Sequence, residues 1–246
     1  MKVGFIGTGN MGGALARAAA KGGHTLLLAN RTPAKAEALA KELGGTVCPN
    51  AEAAETAELL FLGVKPQGLP GLAEELAPVL QARKGNAPVV VSMATAVTLR
   101  ELDAMLGGGL PLIRIMPNTP AAVGAGTILY AAQNVTDAQL NAFRAVLAQA
   151  GLLLPLPEAQ IDAASAISGC GPAFCFQFAD ALALGGVRAG LSYPDACRLA
   201  AQTMLGAAEM LLQGGEAPDV LKMRVCSPAG TTIEGVLALE QGGFSY

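Results

Sequence analysis

Lys2-Val3-Gly4-Phe5-Ile6-Gly7-Thr8-Gly9-Asn10-Met11-Gly12 is the stretch that decides the fold. An apolar run leads into Gly-x-Gly-x-x-Gly, and residues 11–20 continue as a helical run rich in alanine. Such a strand–turn–helix opens a dinucleotide-binding βαβ unit. The glycines permit a tight turn and let backbone approach a pyrophosphate, and the helix N-terminus offers that anion free N–H groups. In a chain with 31 glycines the pattern alone is weak. The competing reading is a plain glycine-rich turn; the apolar strand before it and the helix after it favour the nucleotide.

Working outward, short β-like runs alternate with amphipathic helical runs. Strands are predicted at residues 3–6, 26–30, 59–64, 89–93, 112–116, 127–130 and 152–156, with helices between them, among them Pro33–Leu43 and 137–150. Thr32 is a suitable N-cap, Pro33 suits the first helical position, and Gly44-Gly45 ends that helix. The alternation predicts an α/β fold: a Rossmann-like, doubly wound, mostly parallel sheet over residues 1–157. After Pro157 the pattern changes. Residues 161–167, 173–189, 193–213 and 231–241 read as helices and strand signals vanish, which predicts a C-terminal all-helical domain over residues 158–246. Residues 173–184 are apolar almost all round, apart from Gln177 and Asp180. A helix apolar on every face must be buried on every face. A dimer built through this domain achieves that; packing onto the first domain is the alternative.

The 246 residues are 52% hydrophobic and 14% charged, with no Trp, so the core is built from Ala, Leu, Val and Gly. A net charge of −3 without a basic stripe argues against nucleic acid as a partner. Five cysteines without C-x-x-C spacing read as reduced thiols of a cytoplasmic protein. One histidine, His24, cannot anchor a metal cluster, so no metal is expected. The first residues read as a strand rather than a signal peptide. The apolar stretch 163–178 is interrupted by Ser168, Gly169, Gly171 and Pro172 and reads as protein helix rather than a membrane span.

The end of the second strand selects the cofactor. NAD-specific folds place an acid there for the ribose 2′-OH. Here the residues are Asn30-Arg31-Thr32, with no carboxylate to repel a 2′-phosphate; Arg31 can pair with it, and Asn30 and Thr32 can donate hydrogen bonds. NADP(H) is therefore preferred, with NAD(H) still possible. Val64, Lys65 and Pro66 end the next strand of the unit, and Met93, Ala94 and Thr95 leave the one after, at the carboxyl edge where such sheets bind ligands. A carbonyl reductase also needs an acid for the developing alkoxide. None is evident: there is no Tyr-x-x-x-Lys, and Lys222 is the single lysine of the helical half. An imine substrate removes the difficulty, since an iminium accepts hydride directly. The best substrate anchor is Ser227-Pro228-Ala229-Gly230-Thr231-Thr232, which leads into a helix: Ser227 can cap it, and the N–H groups can hold a carboxylate. A plain capped helix start is the competing reading. A hydroxyacid or other imine oxidoreductase, or a non-catalytic NADP(H) sensor, would share the first domain but need not keep this loop.

With these segments on view the chain resembles the pyrroline-5-carboxylate reductase family. The resemblance rests on Gly4 to Gly12, Val64-Lys65-Pro66-Gln67, Arg114-Ile115-Met116-Pro117-Asn118-Thr119-Pro120, Ser168-Gly169-Cys170-Gly171-Pro172-Ala173-Phe174 and Ser227 to Ile233, in family order over nearly the whole chain. It implies hydride transfer from NAD(P)H to the C=N bond of 1-pyrroline-5-carboxylate, giving proline. It also implies a homodimer or a higher oligomer of dimers, formed through the helical domain. By motif, Ile6, Gly7, Thr8, Gly9, Asn10 and Met11 cradle the pyrophosphate, and Asn30, Arg31 and Thr32 read the 2′-phosphate. Asn50 lies by the adenosine half. Val64, Lys65, Pro66, Met93, Ala94 and Thr95 line the nicotinamide ribose, with Glu158 a weaker match at that end. Ser227 to Thr232 hold the substrate carboxylate, with Thr232 near the ring nitrogen as the catalytic residue. The family more often has Gly at Ala229 and Ser at Cys170, and it usually continues past Gly242-Gly243-Phe244 with another helix.

Overall fold

The computed structural model describes residues 1–245. Tyr246, third of the tyrosines and last residue of the expected helical domain, lies outside the described residues. Packing divides the chain into two compact units, Met1–Ala173 and Phe174–Tyr246.

The first unit is built on an eight-stranded sheet in the order β3-β2-β1-β4-β5-β6-β7-β8. Its strands are β1 (Lys2–Ile6), β2 (Thr25–Ala29), β3 (Thr46–Val47), β4 (Leu59–Leu62), β5 (Val89–Ser92), β6 (Leu112–Pro117), β7 (Gly126–Gln133) and β8 (Gly151–Pro155). Pairing is parallel except between β6 and β7, which run antiparallel with Ile115 opposite Tyr130. The helices between them are α1 (Asn10–Lys21), α2 (Pro33–Leu43), α3 (Asn50–Thr56), α4 (Leu69–Ala82), α5 (Leu99–Met105), α6 (Asp137–Leu147) and α7 (Glu158–Ser168).

Successive strand residues face opposite sides, and over β1, β2 and β4 to β7 both sides are covered. On one, Phe5, Leu28, Phe61, Val91 and Ile115 pack with α1, α2 and α6. On the other, Ile6, Leu60, Leu62, Val90 and Leu112 pack with α3, α4, α5 and Ile161 of α7. Burial on both faces is why the strands read as continuous apolar runs rather than alternating ones. The sequence reading missed β3, whose two residues are too few for a pattern. It also carried β2 and β4 one and two residues too far; β4 turns out of the sheet at the crossing of Gly63 with Gly7 described below.

The change of pattern at Pro157 does not coincide with the change of packing. Helix α7 lies against the sheet through the fully buried Ile161. The run Glu158–Arg188 is long and apolar enough to cross a membrane by length and composition alone. It is two helices, however, because Gly169 and Cys170 separate α7 from α8 (Gly171–Arg188).

The second unit continues α8 with α9 (Tyr193–Gly214), α10 (Pro218–Val225) and α11 (Thr231–Gln241). Helix α10, eight residues of which three are charged, was not read from the sequence. Helices α8 and α9 approach closely because Gly186 faces Ala196, where an added Cβ would stand 3.0 Å from the alanine methyl. The Tyr193 hydroxyl donates to Asp180 Oδ1 at 2.7 Å, tying the same two helices. That bond, aided by Cys197, raises the phenol's pKa. Ala183, Ala196 and Ala200 are buried, while Phe174 and Phe176 remain 67% and 69% exposed. The unit thus covers three alanines and leaves its large apolar side chains uncovered.

Truncating Ile161 tests whether α7 is anchored as described. Ile161→Ala should cost roughly 2–5 kcal/mol, the range for deleting a fully buried aliphatic side chain. Urea unfolding followed by circular dichroism measures it, and a cost under about 1 kcal/mol contradicts the anchoring.

Candidate functional site

The site begins where β1 leaves the sheet. Gly7 takes φ +99°, in the left-handed half of backbone space, and a Cβ there would lie 2.5 Å from the Gly63 carbonyl oxygen. A Cβ on Gly12 would lie 2.0 Å from the Gly7 carbonyl oxygen. No side chain fits either place, so these two glycines are what lets α1 start directly over the ends of β1 and β4. Gly9 has nothing within 4 Å of its Cβ position: it faces open space and keeps the turn accessible. It is also the N-cap of α1 and supplies no side-chain cap, so the first amides of the helix are without an intrahelical partner.

Thr8 is 7% exposed, and its hydroxyl oxygen is buried without a hydrogen-bond partner. Its N–H donates to Asn30 Oδ1 at 3.0 Å, and Asn30 Nδ2 donates to the Thr32 carbonyl at 3.0 Å. Asn30 therefore braces the turn after β1 against the turn after β2. Thr32 stands at the N-cap of α2, as expected, but its hydroxyl makes no cap bond. Arg31 and Thr32 are exposed beside this turn.

Two clefts open at this edge. The first, of about 260 Å³, is lined by Thr8, Gly9, Asn10, Gly13, Arg17 and Lys35, with part of α2 beyond them. Arg17 Nε and Nη2 donate to the two carboxylate oxygens of Glu42 at 2.6 and 2.7 Å, joining α1 to α2. These bonds hold the Glu42 carboxyl below its usual range. The second cleft, of about 270 Å³, is lined by Met11, Gly63, Val64, Lys65, Pro66, Met93, Thr95, Met116 and Pro117. It gathers the carboxyl ends of β4, β5 and β6 around the start of α1, where open α/β sheets take ligands.

Of the residues singled out in the sequence, Thr8, Gly9 and Asn10 line the first cleft. Met11, Val64, Lys65, Pro66, Met93 and Thr95 line the second. Ile6 and Ala94 are buried, at 2% and 1% exposure, and offer backbone only. Asn50 lines neither cleft; its amide donates to Glu75 Oε2 at 3.1 Å. Glu158 also lines neither: its Oε1 accepts from the Leu99 N–H at 2.6 Å and lies 3.4 Å from Arg114 Nη1. Sequence reasoning passed over Met116 and Pro117 as cleft residues, although the strand-end rule that selected Lys65 applies equally to them. It passed over Lys35 and Arg17 because their place depends on the spacing of α1 and α2. His24 precedes β2, at the opposite edge of the sheet, and burial lowers its pKa.

In the second unit the loop after α10 leads into α11. The expected Ser227 cap is not made. Gly230 is the N-cap, no side chain caps the helix, and the Gly230 N–H donates to the Ser227 carbonyl at 3.0 Å. The hydroxyl is displaced from that role because the turn is closed by backbone. Thr231 and Thr232 form the start of α11, whose first amides are left without a side-chain acceptor. Ala229 takes φ +56°, a left-handed conformation that costs an L-residue energy. Pro228 precedes it, so the loop is held by a fixed ring, a strained alanine and one backbone bond.

Comparison with known proteins covers both units. A family described as pyrroline-5-carboxylate reductase dimerisation matches residues 158–246, and one described as NADP oxidoreductase, coenzyme F420-dependent, matches residues 2–96. Pyrroline-5-carboxylate reductase of Pseudomonas aeruginosa is 38% identical over 99% of this chain and 90% of its own length. Pyrroline-5-carboxylate reductase 3 of Macaca fascicularis is 36% identical over 98% of this chain and 89% of its own. The crystal structure of Plasmodium falciparum pyrroline carboxylate reductase with NADP bound superposes with a TM-score of 0.87. It is 28% identical, and the match covers 100% of this chain and 92% of that one.

The strained alanine supplies a test independent of any ligand. Ala229→Gly should stabilise the fold by about 1 kcal/mol, because glycine takes the left-handed conformation without the Cβ clash. Its lower order in the unfolded chain offsets part of that gain. A fall in Tm on this substitution contradicts the strain at Ala229.

Proposed function

The chain belongs to the pyrroline-5-carboxylate reductase family, and from that premise we propose how its residues divide the work. It is an oxidoreductase that uses a nicotinamide cofactor and reduces the C=N bond of 1-pyrroline-5-carboxylate, the step that gives proline. The reduced cofactor, when bound, supplies hydride to C5 of the ring.

The turn from Ile6 to Met11 takes the pyrophosphate. The observation that carries this is the cradle itself: open space over Gly9, uncapped amides at the start of α1, and the unpartnered Thr8 hydroxyl. A cradle with those donors and no room for side chains fits a diphosphate. Arg31, with Thr32, reads the 2′-phosphate, so NADPH is preferred over NADH, while Asn30 acts by holding the two turns together. Asn50 lies toward the adenosine half. Val64, Lys65, Pro66, Met93, Ala94 and Thr95 receive the nicotinamide half in the second cleft; the methionine side chains there give it an apolar, adaptable wall.

The loop from Ser227 to Thr232 holds the substrate. Its carboxylate lies on the α11 amides, favoured by the helix dipole. Pro228, Ala229 and Gly230 shape the turn, and the hydroxyls of Thr231 and Thr232 face the ring. Thr232 is the group at the ring nitrogen and orients it. Because an iminium accepts hydride without a protein acid, a sequence with no Tyr-x-x-x-Lys and with Lys222 as the single lysine of the helical half is consistent with this reaction. No metal takes part. The division into a cofactor domain of residues 1–157 and a substrate and dimerisation domain of residues 158–246 is supported by the family match that starts at residue 158. The exposed Phe174 and Phe176 support a homodimer, or a higher oligomer of dimers, formed through that domain; the reading places the enzyme in the cytoplasm.

NADPH oxidation followed by absorbance, with and without pyrroline-5-carboxylate, tests the reaction. Substrate-independent oxidation, or none, contradicts it. Arg31→Ala should weaken NADPH by roughly 1.5–3 kcal/mol, the value of a charge-assisted hydrogen bond, and NADH far less. Titration of both cofactors measures this, and equal losses remove Arg31 from the phosphate. Thr232→Ala should lower kcat/KM roughly tenfold to a hundredfold with NADPH affinity nearly unchanged. Wild-type kcat/KM in that variant would return the loop to a plain helix start.

A further inference from the structure

Asn118 and Ser168 have no part in the division of work proposed above, although each stands in a segment quoted for the family. The structure joins them. Strand β6 grips helix α7 at two places. Arg114, in the core at 2% exposure, donates from Nη2 to Asp162 Oδ1 at 2.6 Å. Just past the carboxyl end of the same strand, Asn118 is 8% exposed. Its Nδ2 donates to the Ser168 carbonyl at 2.8 Å, and its Oδ1 accepts from the Thr127 N–H of β7 at 2.8 Å. The Thr127 N–H needs an acceptor and the Ser168 carbonyl a donor, so the two contacts fix which way the amide faces.

The second grip falls where α7 runs out. Ser168 is the last residue of that helix, and the last carbonyls of a helix have no intrahelical partner. Gly169 and Cys170 follow, and α8 starts at Gly171. The Gly169 and Cys170 N–H groups both turn back to the Ser165 carbonyl, at 2.7 and 3.3 Å. Those bonds shape the junction from within α7. Among the described residues, the bond from Asn118 is the only hydrogen bond that ties residues 168–170 to the sheet. On its other side Asn118 follows Met116 and Pro117, which line the second cleft, while Asn118 does not line it.

We infer that Asn118 is a positioning residue of the reaction: by holding the Ser168 carbonyl it fixes the junction from which α8 leaves, relative to the strand end that walls the second cleft. The inference rests on the reading above, in which the cofactor residues lie at or before Thr95 and the substrate residues at or after Ser227. The chain between those two sets passes through this junction. Binding the cofactor needs only the first set. Hydride transfer needs both, and it falls steeply when reacting groups are misplaced. A slack junction therefore costs turnover and spares NADPH binding, whereas a fold that is merely weakened loses the two together.

The test is steady-state reduction of pyrroline-5-carboxylate by the full chain, beside equilibrium titration with NADPH, both below the unfolding transition of each variant. Asn118→Ala should lower kcat roughly tenfold to a hundredfold, the loss expected for a misplacement of about 1 Å, and leave the Kd for NADPH unchanged. Asn118→Asp keeps an oxygen for the Thr127 N–H but sets an acceptor against the Ser168 carbonyl, and should be at least as impaired. Gly169→Ala strains the same junction without touching Asn118. Its Cβ would stand 2.8 Å from the Ser165 carbonyl oxygen, so it should show the same split between kcat and Kd; it decides the matter if the Asn118 variants do not fold. Wild-type kcat in any of the three variants, or equal losses of turnover and NADPH affinity, overturns the inference. A wild-type chain that binds NADPH but does not oxidise it with pyrroline-5-carboxylate overturns the reading beneath it, and the inference with that reading.

Discussion

The helix α1 begins so close to the strand before it that a single methylene at residue 12 would stand 2.0 Å from the Gly7 carbonyl oxygen. The arrangement of the carboxyl edge depends on this approach. It brings the start of α1 over the crossing of Gly7 with Gly63, which in turn bends β4 out toward Lys65 and Pro66. One backbone contact thus places the anion-facing amides, the strand-end residues and the Thr8 hydroxyl around a common opening. A side chain there separates helix from sheet and loses the opening along with the packing of Leu15 and Ala16 beneath it.

Around that fixed point the two halves of the cofactor region are secured by different physics. The turn after β2 is braced by neutral hydrogen bonds from Asn30, all near the surface. The loop after β5 is secured from beneath, by a guanidinium in the core and acids that reach in from α7. The first brace is local and inexpensive. The second takes a charge out of water, and its cost is met only because Asp162 and Glu158 stay partly in solvent, with side chains 64% and 28% exposed.

Much of this was legible in the sequence, for identifiable reasons. Gly7, Gly9 and Gly12 were readable because their spacing is imposed by local geometry. The central strands were readable because burial on both faces leaves them almost wholly apolar, Ser92 and Arg114 being the buried polar exceptions. What escaped reading depends on partners far along the chain. Asn30 reads as a phosphate donor, but its Nδ2 donates to the Thr32 carbonyl, and its Oδ1 accepts from Thr8, 22 residues back. Arg114 reads as one charge in an apolar run, and its acids lie 44 and 48 residues on. Ser227 had the right chemistry for a cap, but backbone closed the turn first, leaving Gly230 in that position. The end of the sheet-packed unit was hidden in Ile161, an ordinary apolar residue in a helix that composition groups with its successors.

The strand order has a consequence for how the protein comes into being. Strand β1 lies between β2 and β4, and Val3 is in register with both Leu26 and Leu59. The strand that carries the glycine turn is thus synthesised before either neighbour, and its second edge stays open until β4 follows. Phe5 meanwhile awaits Phe61, on which it stacks at 4.6 Å between ring centroids. Closing so long a loop is entropically slow and must precede the reward of pairing. The centre of the sheet is therefore the part of the first unit most exposed to wrong partners during folding. Helix α1, packed over Leu26 and Leu28, covers one face of the β1–β2 pair and leaves that edge for β4 alone to close.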